Sequence, residues 1–513
     1  MNQFSKILLA EQIQRLDAET ITNEPITSID LMERAALACV NWLLINTNKK
    51  CIYKIFCGLG NNGGDGLAIA RLLLQHGCEV DVFILRYADK SSNDFYANEQ
   101  RLHLLNPHLL TDIFSPTELP YIHPTDIVID AVFGIGLSRT IDNPLIIQYI
   151  QHVNSCTANT IAIDVPSGLQ INQIHQVSSH IVAANHTLSF QFVKLPFLFS
   201  ANAAWVGEWH VLPIGLCSKS TVAMPTNMFF VTKEAIQPFV KIKSTFSHKG
   251  HFGNALLISG SYGKIGASII AAKACLRSGV GLLTLLLPSC GYSIAQISVP
   301  EAMVISDVHA DICSQLPTLS NYTAIGIGPG LGTQPATAAM LLQLLQSATQ
   351  PLVLDADAIN IIAAHPQWLT LLPRNTIITP HVKEFARLTH ATENEAERHQ
   401  LQVEFAISHQ IIVVLKGAYT CIALPNGQVF FNSTGNVGMA KGGSGDALTG
   451  IIVSLLAQGY NQTHAAIIGV WVHGMAGDKA AAAIGRTSML ASDTITYLNE
   501  AFNLLESIPI NQQ

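Results

Sequence analysis

The chain has 513 residues, past the size at which a single core keeps growing, so two domains are expected. Hydrophobic residues make up 49% and charged residues 12%, which excludes a disordered chain. A formal net charge of −7 argues against general nucleic-acid binding, which needs a concentrated positive face.

Near the amino terminus, the apolar patch Ile7, Leu8, Leu9 and Ala10 is interrupted by Glu11 before a signal-peptide core forms. The most apolar later run, 280–288, is far shorter than the ~20 residues that cross a bilayer. Ten cysteines are scattered from Cys39 to Cys421 with no CxxC pair and no Cys/His cluster, as reduced core residues of a cytosolic protein would be. A soluble, cytoplasmic protein with no nucleic-acid and no membrane partner is expected.

Thr27 and Ser28 open a helix over 27–46, in which Leu31, Met32, Ala35, Ala36, Cys39 and Val40 recur at helical spacing. Apolar strand runs follow at 52–57, 80–85, 127–132, 160–165 and 187–192, with helical stretches between several of them. That alternation predicts a Rossmann-like, doubly wound α/β sheet. The pattern closes near 209–215, and the following stretch mixes Ser, Thr, Pro and Lys without sustained periodicity. A first domain of 1–215, a linker of 216–240 and a second domain of 241–513 are therefore expected. Strand runs at 256–259, 283–287, 324–328, 352–355, 376–379 and 411–416 make the second domain α/β as well.

After the first strand, Gly58, Gly60 and Gly63 satisfy the GxGxxG dinucleotide fingerprint, and Asp81 lies 18 residues past Gly63, near the ribose-binding position. A plain NAD-dependent dehydrogenase is thus a serious rival. Against it, Asp65 falls at the expected helix start, where it would compete with a pyrophosphate for the same N–H groups. Asp130, and Asp164 with Ser167, end two further strands. A parallel sheet gathers such ends in one crevice, so Asn62, Asp130 and Ser167 can converge. Their hard oxygens suit an alkali or alkaline-earth cation, although each alone also reads as a cap or turn residue.

The segments GNNGGDGLAIAR, DAVFGIGLSR and DVPSGL resemble the NAD(P)H-hydrate epimerase family across 1–215. The resemblance implies a potassium ion held by Asn62, Asp130 and Ser167. It also implies a substrate cradle of Asn61, Asn62, Gly63, Gly64 and Asp65 with Gly134, Ile135, Gly136, Leu137, Ser138, Arg139 and Thr140, and Asp164 at the reacting centre. Interconverting R and S hydrates requires reversible loss and return of the C6 hydroxyl or opening of an equivalent bond. A carboxylate such as Asp164 can move the proton involved, and the same residue also reads as a cap before Pro166.

The second domain carries NSTGNVGMAKGGSGDALTG over 432–450, with Gly442, Gly443, Ser444, Gly445 and Asp446 ahead of an apolar helix over 447–457. Glycines admit a phosphate close to the backbone, and a helix start supplies N–H donors for charge built during phosphoryl transfer. Asp446 can take a proton from an attacking hydroxyl. Lys416 ends the strand IIVVLKG, placed to reach a phosphate or, equally, to stand as an exposed turn lysine. Other strand-end turns carry Gly328 to Gly332, Asp355 to Ala358, and Thr379, Pro380 and His381.

The segments KGHFGNALLISGS, IGIGPGLG, LDADAIN, TPHVKEFARL, VLKGAYT and GMAKGGSGDALTG resemble the ribokinase-like superfamily and, within it, the ADP- or ATP-dependent NAD(P)H-hydrate dehydratases over 241–505. The resemblance implies nucleotide contacts from Lys416, Gly417, Ala418, Tyr419, Thr420 and Gly445, and hydrate contacts from Ala255, Gly330, His381 and Asp446. It further implies Mg2+ with ADP, and phosphorylation of the hydrate's hydroxyl followed by elimination of phosphate. Domain order resembles the fused bacterial enzymes, favouring ADP as donor by analogy. Val382 and Lys383 stand where that family carries Pro-Gly, Val437 replaces a common Pro, and Lys441 takes the place of a small hydroxylic residue, adding positive charge beside the anion hole or altering the loop. NAD(P)H hydrates and ADP are the expected ligands, in a homo-oligomer, since apolar patches on ribokinase-like domains commonly mark subunit contacts. A vitamin kinase with a regulatory first domain and a first domain that only binds partners remain as alternatives.

Overall fold

The computed structural model describes residues 4–48, 50–174, 176, 180–241 and 243–506. They divide into two units, Lys6–Thr226 and Asn227–Gln513, the second also taking Met1–Ser5. After the short strand β1 (Ser5–Lys6), the first unit holds β2 (Ile52–Cys57), β3 (Glu79–Leu85), β4 (Leu110–Ile113), β5 (Ile127–Ala131), β6 (Asn159–Ile163), β7 (His186–Phe190) and β8 (Glu208–Leu212). Their spatial order is β4-β3-β2-β5-β6-β7-β8, and all of these neighbours pair in parallel. The order reverses between β2 and β5, so the chain leaves these neighbours in opposite directions and a crevice opens beyond their carboxyl ends.

Helix Ser28–Asn46 begins where expected because Thr27 and Asp30 cap each other: the Asp30 N–H donates to Thr27 Oγ1 at 3.2 Å, and the Thr27 N–H donates to Asp30 Oδ2 at 2.9 Å. Its six predicted apolar residues are all buried. Helix Asn61–Gln75 presses on β2 and β5 through its glycines, for a Cβ on Gly63 would stand 1.9 Å from the Gly58 carbonyl oxygen.

The second unit is built on β9 (Met228–Val231), β10 (Asn254–Ile258), β11 (Leu282–Leu287), β12 (Met303–Ser306), β13 (Ala324–Ile327), β14 (Leu352–Leu354), β15 (Ile377–Ile378), β16 (Ile412–Leu415), β17 (Cys421–Ala423) and β18 (Val429–Asn432). The eleven-stranded sheet runs β1-β9-β18-β17-β16-β15-β14-β13-β10-β11-β12. From β9 to β12 it is parallel except around β17, which pairs antiparallel with β16 and β18. Helices Ser444–Ala457 and Gln462–Ile484 are buried along most of their length, and apolar residues of both join one core with β10, β11 and β16. No helix among the described residues is long and apolar enough to cross a membrane.

The stretch 216–240 is not a linker. It holds helix Ser218–Ala223 in the first unit and β9 in the second. Polar residues obscured β9 in the sequence, but MFFV completes the sheet beside β18 in parallel register. The amino terminus also departs from a simple two-block order. Phe4 sits in the core of the second unit, its ring 5.0 Å from Phe430 and 6.0 Å from Phe239. Phe4→Ala is therefore expected to destabilise that unit by roughly 3 kcal/mol, read as a lower midpoint of its denaturant transition in the full chain; an unchanged midpoint would show that the tail is not part of the core.

Candidate active sites

In the first unit a cavity of about 500 Å3 lies over the crevice between β2 and β5, lined by the turns after both strands and by Asp164 beyond β6. All of the expected cradle except Gly63, Gly64 and Thr140 lies on its wall. Gly63 and Gly64 face inward instead: a Cβ on Gly64 would stand 2.9 Å from the Met32 side chain. They serve helix packing.

Asp164 holds a left-handed backbone, φ +63°, a conformation costly for a residue with a Cβ. Its N–H donates to the Leu188 carbonyl at 2.8 Å, and its Oδ1 accepts the Phe190 N–H at 3.3 Å. The same Oδ1 is 3.1 Å from Nζ of Lys194, whose side chain is wholly buried. Lys194 also donates to the Phe190 carbonyl at 2.8 Å. Two further carboxyl groups share the cavity. Burial, then the Asp164 charge, pushes Asp17 up to about 7 against the opposing pull of Lys194. Burial, then Asp164, Asp17 and Asp94, pushes Asp65 well above the carboxylate range.

Asp65 is the fifth residue of helix Asn61–Gln75, not at its start, so it does not occupy the N–H groups of the first turn. What opposes a pyrophosphate is the acidity of the cavity. Asp81, the ribose-binding candidate, lies mid-strand in β3 opposite Lys54 in register and is ion-paired to it at 3.0 Å. The dehydrogenase reading fails there.

Asp130 and Ser167 do meet. Ser167 donates from Oγ to Asp130 Oδ1 at 2.6 Å and from its N–H to Oδ2 at 2.8 Å, and Tyr149 donates to Oδ1 at 3.0 Å. Burial pushes Asp130 up, and these hydrogen bonds pull the other way. Asn62 is buried, its Nδ2 has no hydrogen-bond partner, and its side chain packs against Gly134. Gly134 follows Phe133, whose N–H donates to Ser167 Oγ at 2.9 Å. The three proposed cation ligands thus lie along one chain of contacts.

In the second unit Asp355, after β14, and Lys416, after β16, lie against the start of helix Ser444–Ala457. Gly443, at φ +92°, precedes that helix. Lys416 Nζ donates to Asp355 Oδ1 at 3.0 Å, and a Cβ on Gly445 would stand 3.2 Å from that nitrogen. Asp355 is almost wholly buried and also accepts from Thr379 and Thr449, each at 2.8 Å. Lys416 is therefore no free turn lysine. Asp446 is raised to about 6 by burial first and by the Asp355 carboxylate second, with Lys416 opposing and Asp357 and Glu384 adding to the rise.

His381 caps the helix Val382–Leu388, its Nδ1 accepting the N–H groups of Lys383 and Glu384 at 3.1 and 3.2 Å, and it bridges to Lys416 through the backbone. Gly330, at φ +60°, lies against Lys264 and Ala267. Gly417, Ala418, Tyr419 and Thr420 form the turn after β16, closed by the Thr420 hydroxyl donating to the Gly417 carbonyl at 3.1 Å. Ala255 is not with them. It is wholly buried at the second position of β10, while the site-bearing turns follow the carboxyl ends of the strands. Lys441 is not aimed at a phosphate either, because its Nζ donates to the carbonyls of Thr487 and Met489 at 2.6 and 2.7 Å. It ties down a loop.

Sequence reading missed Lys194 and Asp17, and it placed Asp355 in a strand-end turn without giving it a role. An isolated lysine in the apolar run FQFVKLPFLF was the available signal for Lys194, since a lysine taken out of water needs a partner. Asp17 carries no such mark on its helix. Lys194→Met is expected to destabilise the first unit by roughly 3–5 kcal/mol by stranding Asp164. Adding Asp164→Asn should recover part of that loss in denaturant unfolding; strictly additive losses would mean that the pair is not coupled.

The fold and the two sites define a two-domain α/β enzyme, one domain doubly wound around an acidic cavity and the other built on a mostly parallel sheet with a glycine-bordered helix start at its site. Residues 28–195 match the family described as YjeF-related protein N-terminus, and residues 255–500 match NAD(P)H-hydrate dehydratase. The bifunctional NAD(P)H-hydrate repair enzyme Nnr of Moorella thermoacetica is 34% identical over 98% of this chain and 97% of its own length. That of Escherichia coli is 32% identical over 96% of this chain and 93% of its own. Among solved structures, the ADP/ATP-dependent NAD(P)H-hydrate dehydratase of Bacillus subtilis, co-crystallized with ATP/Mg2+, is 30% identical over 54% of this chain and 98% of its own, with a TM-score of 0.47. The chain belongs to the family of bifunctional NAD(P)H-hydrate repair enzymes.

Proposed function

We propose that the first unit interconverts the R and S forms of hydrated NAD(P)H, and that the second restores NAD(P)H from the S form while ADP becomes AMP and phosphate. The observation that carries this reading is the placement of Asp446 at a glycine-bordered helix start opposite the Lys416–Asp355 pair. In the second unit the hydrate's hydroxyl attacks the terminal phosphate of ADP, Asp446 takes the hydroxyl proton, and the amides of the helix start hold the transferring group. Elimination of phosphate then regenerates the reduced ring, for a hydroxyl leaves poorly and a phosphate leaves well. When bound with the nucleotide, Mg2+ would supply neutralising charge, and Asp355, Asp357 and Glu384, whose charges act on Asp446, are the hard-oxygen groups that would hold it.

In the first unit Asp164, held by Lys194, is the reacting carboxylate, and Asp65, on the wall of the same cavity, faces bound hydrate. Asp130, Ser167 and Asn62 suit K+, because Asp130 and Ser167 are buried hard-oxygen groups in contact and Asn62 is a buried amide whose carbonyl oxygen is a third hard donor. When bound, the ion supplies charge beside the buried Asp130 carboxylate. The ten free thiols support a reducing, cytoplasmic setting.

With a mixture of R and S hydrates and ADP, wild-type protein is expected to consume both, with full return of the reduced-nicotinamide absorbance. Asp446→Asn should slow dehydration by ~10²–10⁴-fold and leave epimerisation intact. Asp164→Asn should halt R consumption while S is still consumed. An accumulating phosphorylated product would favour a kinase, and an untouched R fraction with wild-type protein would favour a first unit that only binds.

The raised proton affinity of Asp446 adds a pH signature. The base must be ionised to act, so kcat/KM for dehydration should be level above about pH 6 and fall about tenfold per unit below it. A profile flat through pH 5 would remove Asp446 from the role of base.

A further inference from the structure

The first unit carries a cluster that neither candidate site uses. His186 begins β7, and Glu208 and His210 lie on β8. In the parallel register His186 stands opposite Glu208, and Leu188 stands opposite His210. Side chains alternate along a strand, so Glu208 and His210 share a face, and His186 joins them there. His186 Nδ1 is 3.4 Å from His210 Nε2 and 3.8 Å from Glu208 Oε2. Among the described residues, these three are the one group of His, Cys, Asp and Glu whose ligand atoms all lie within 4.8 Å of one another.

We infer that His186, Glu208 and His210 form a binding site for a divalent transition-metal ion, and that Zn2+ is the ion its geometry fits. Two Zn–N bonds of about 2.0–2.1 Å at the tetrahedral angle set their nitrogens roughly 3.3–3.4 Å apart, which is the spacing of the two imidazoles. Glu208 is 71% exposed and needs only a small side-chain rotation to close on the same point. Two imidazoles and a carboxylate suit zinc, and the nitrogen donors disfavour K+ or Mg2+. Three protein ligands leave a fourth position for water.

The rings are braced from below. Trp42 of helix Ser28–Asn46 packs against His210 at 4.8 Å and His186 at 5.3 Å between ring centroids, limiting their rotation before any ion arrives. Phe190, at the other end of β7, lines the cavity, so four residues of extended chain, about 13 Å, separate the two places. The ion would join β8, the edge strand, to β7, and it does not depend on the epimerase reading.

Calorimetric titration of the full-length, chelator-stripped protein with Zn2+ tests this. One tight equivalent per chain is expected. Losing an outer-shell partner alone typically costs a zinc site 10–100-fold, so His186→Ala and His210→Ala should each weaken binding by about 100-fold or more. Glu208→Gln, a change at the surface, should weaken it without altering thermal unfolding of the metal-free protein. Co2+, a paramagnetic substitute, should quench Trp42 emission in the wild type, and Trp42→Phe should remove that quenching. Equal stoichiometry and affinity in the wild type and the His186→Ala/His210→Ala double variant, or no tight equivalent in the wild type, would overturn the assignment and leave only a His–His hydrogen bond.

Discussion

In each unit a lysine side chain drawn out of water is held against a carboxylate just past the end of a parallel strand: Lys194 against Asp164, and Lys416 against Asp355. Neither partner tolerates the interior alone, because a buried charge without its counter-charge costs several kcal/mol. The pairing therefore decides where each strand-end turn rests, and with it the positions of the remaining polar groups. In the first unit it holds Asp164 in a left-handed conformation that few residues with a Cβ adopt.

The same arrangement tunes a neighbour. With Asp164 and Asp355 partnered to cations, another carboxyl group nearby meets both burial and a fixed negative charge, so its proton affinity rises: Asp17 to about 7 and Asp446 to about 6. Like-charge proximity in a low-dielectric site raises the proton affinity of the carboxyl group that lacks a cation of its own. Two folds with different sheet topologies thus raise the proton affinity of a carboxyl group by one electrostatic route. On the proposed mechanism, the helix start in the dehydratase unit adds N–H donors for the phosphoryl group.

Lys441 shows how a departure from family pattern is read wrongly by charge alone. A cation four residues before Gly445 suggests a phosphate ligand, yet its ammonium group is spent on two backbone carbonyls, those of Thr487 and Met489. Val382 and Lys383 likewise follow His381 without disturbing it, since His381 and Glu384 cap that helix reciprocally.

Much was legible in the one-dimensional chain. Helix Ser28–Asn46 and the central strands of both sheets were read because long apolar runs and 3.6-residue spacing are local properties, and the glycine-rich turns because close backbone approach demands glycine. Short strands such as β9, β17 and β18 were not, for three or four residues hold no period and their pairing is supplied by neighbours distant in sequence. The sequence by itself determined two α/β domains and the turns that carry Asp164 and Asp446. Only the tertiary structure decided that Phe4 belongs to the second core, that Asp65 faces a cavity and not a helix start, that Ala255 is core, and which lysine neutralises which carboxylate. Those outcomes rest on burial and on distances between side chains, which depend on every strand order and register at once and leave no mark in local spacing.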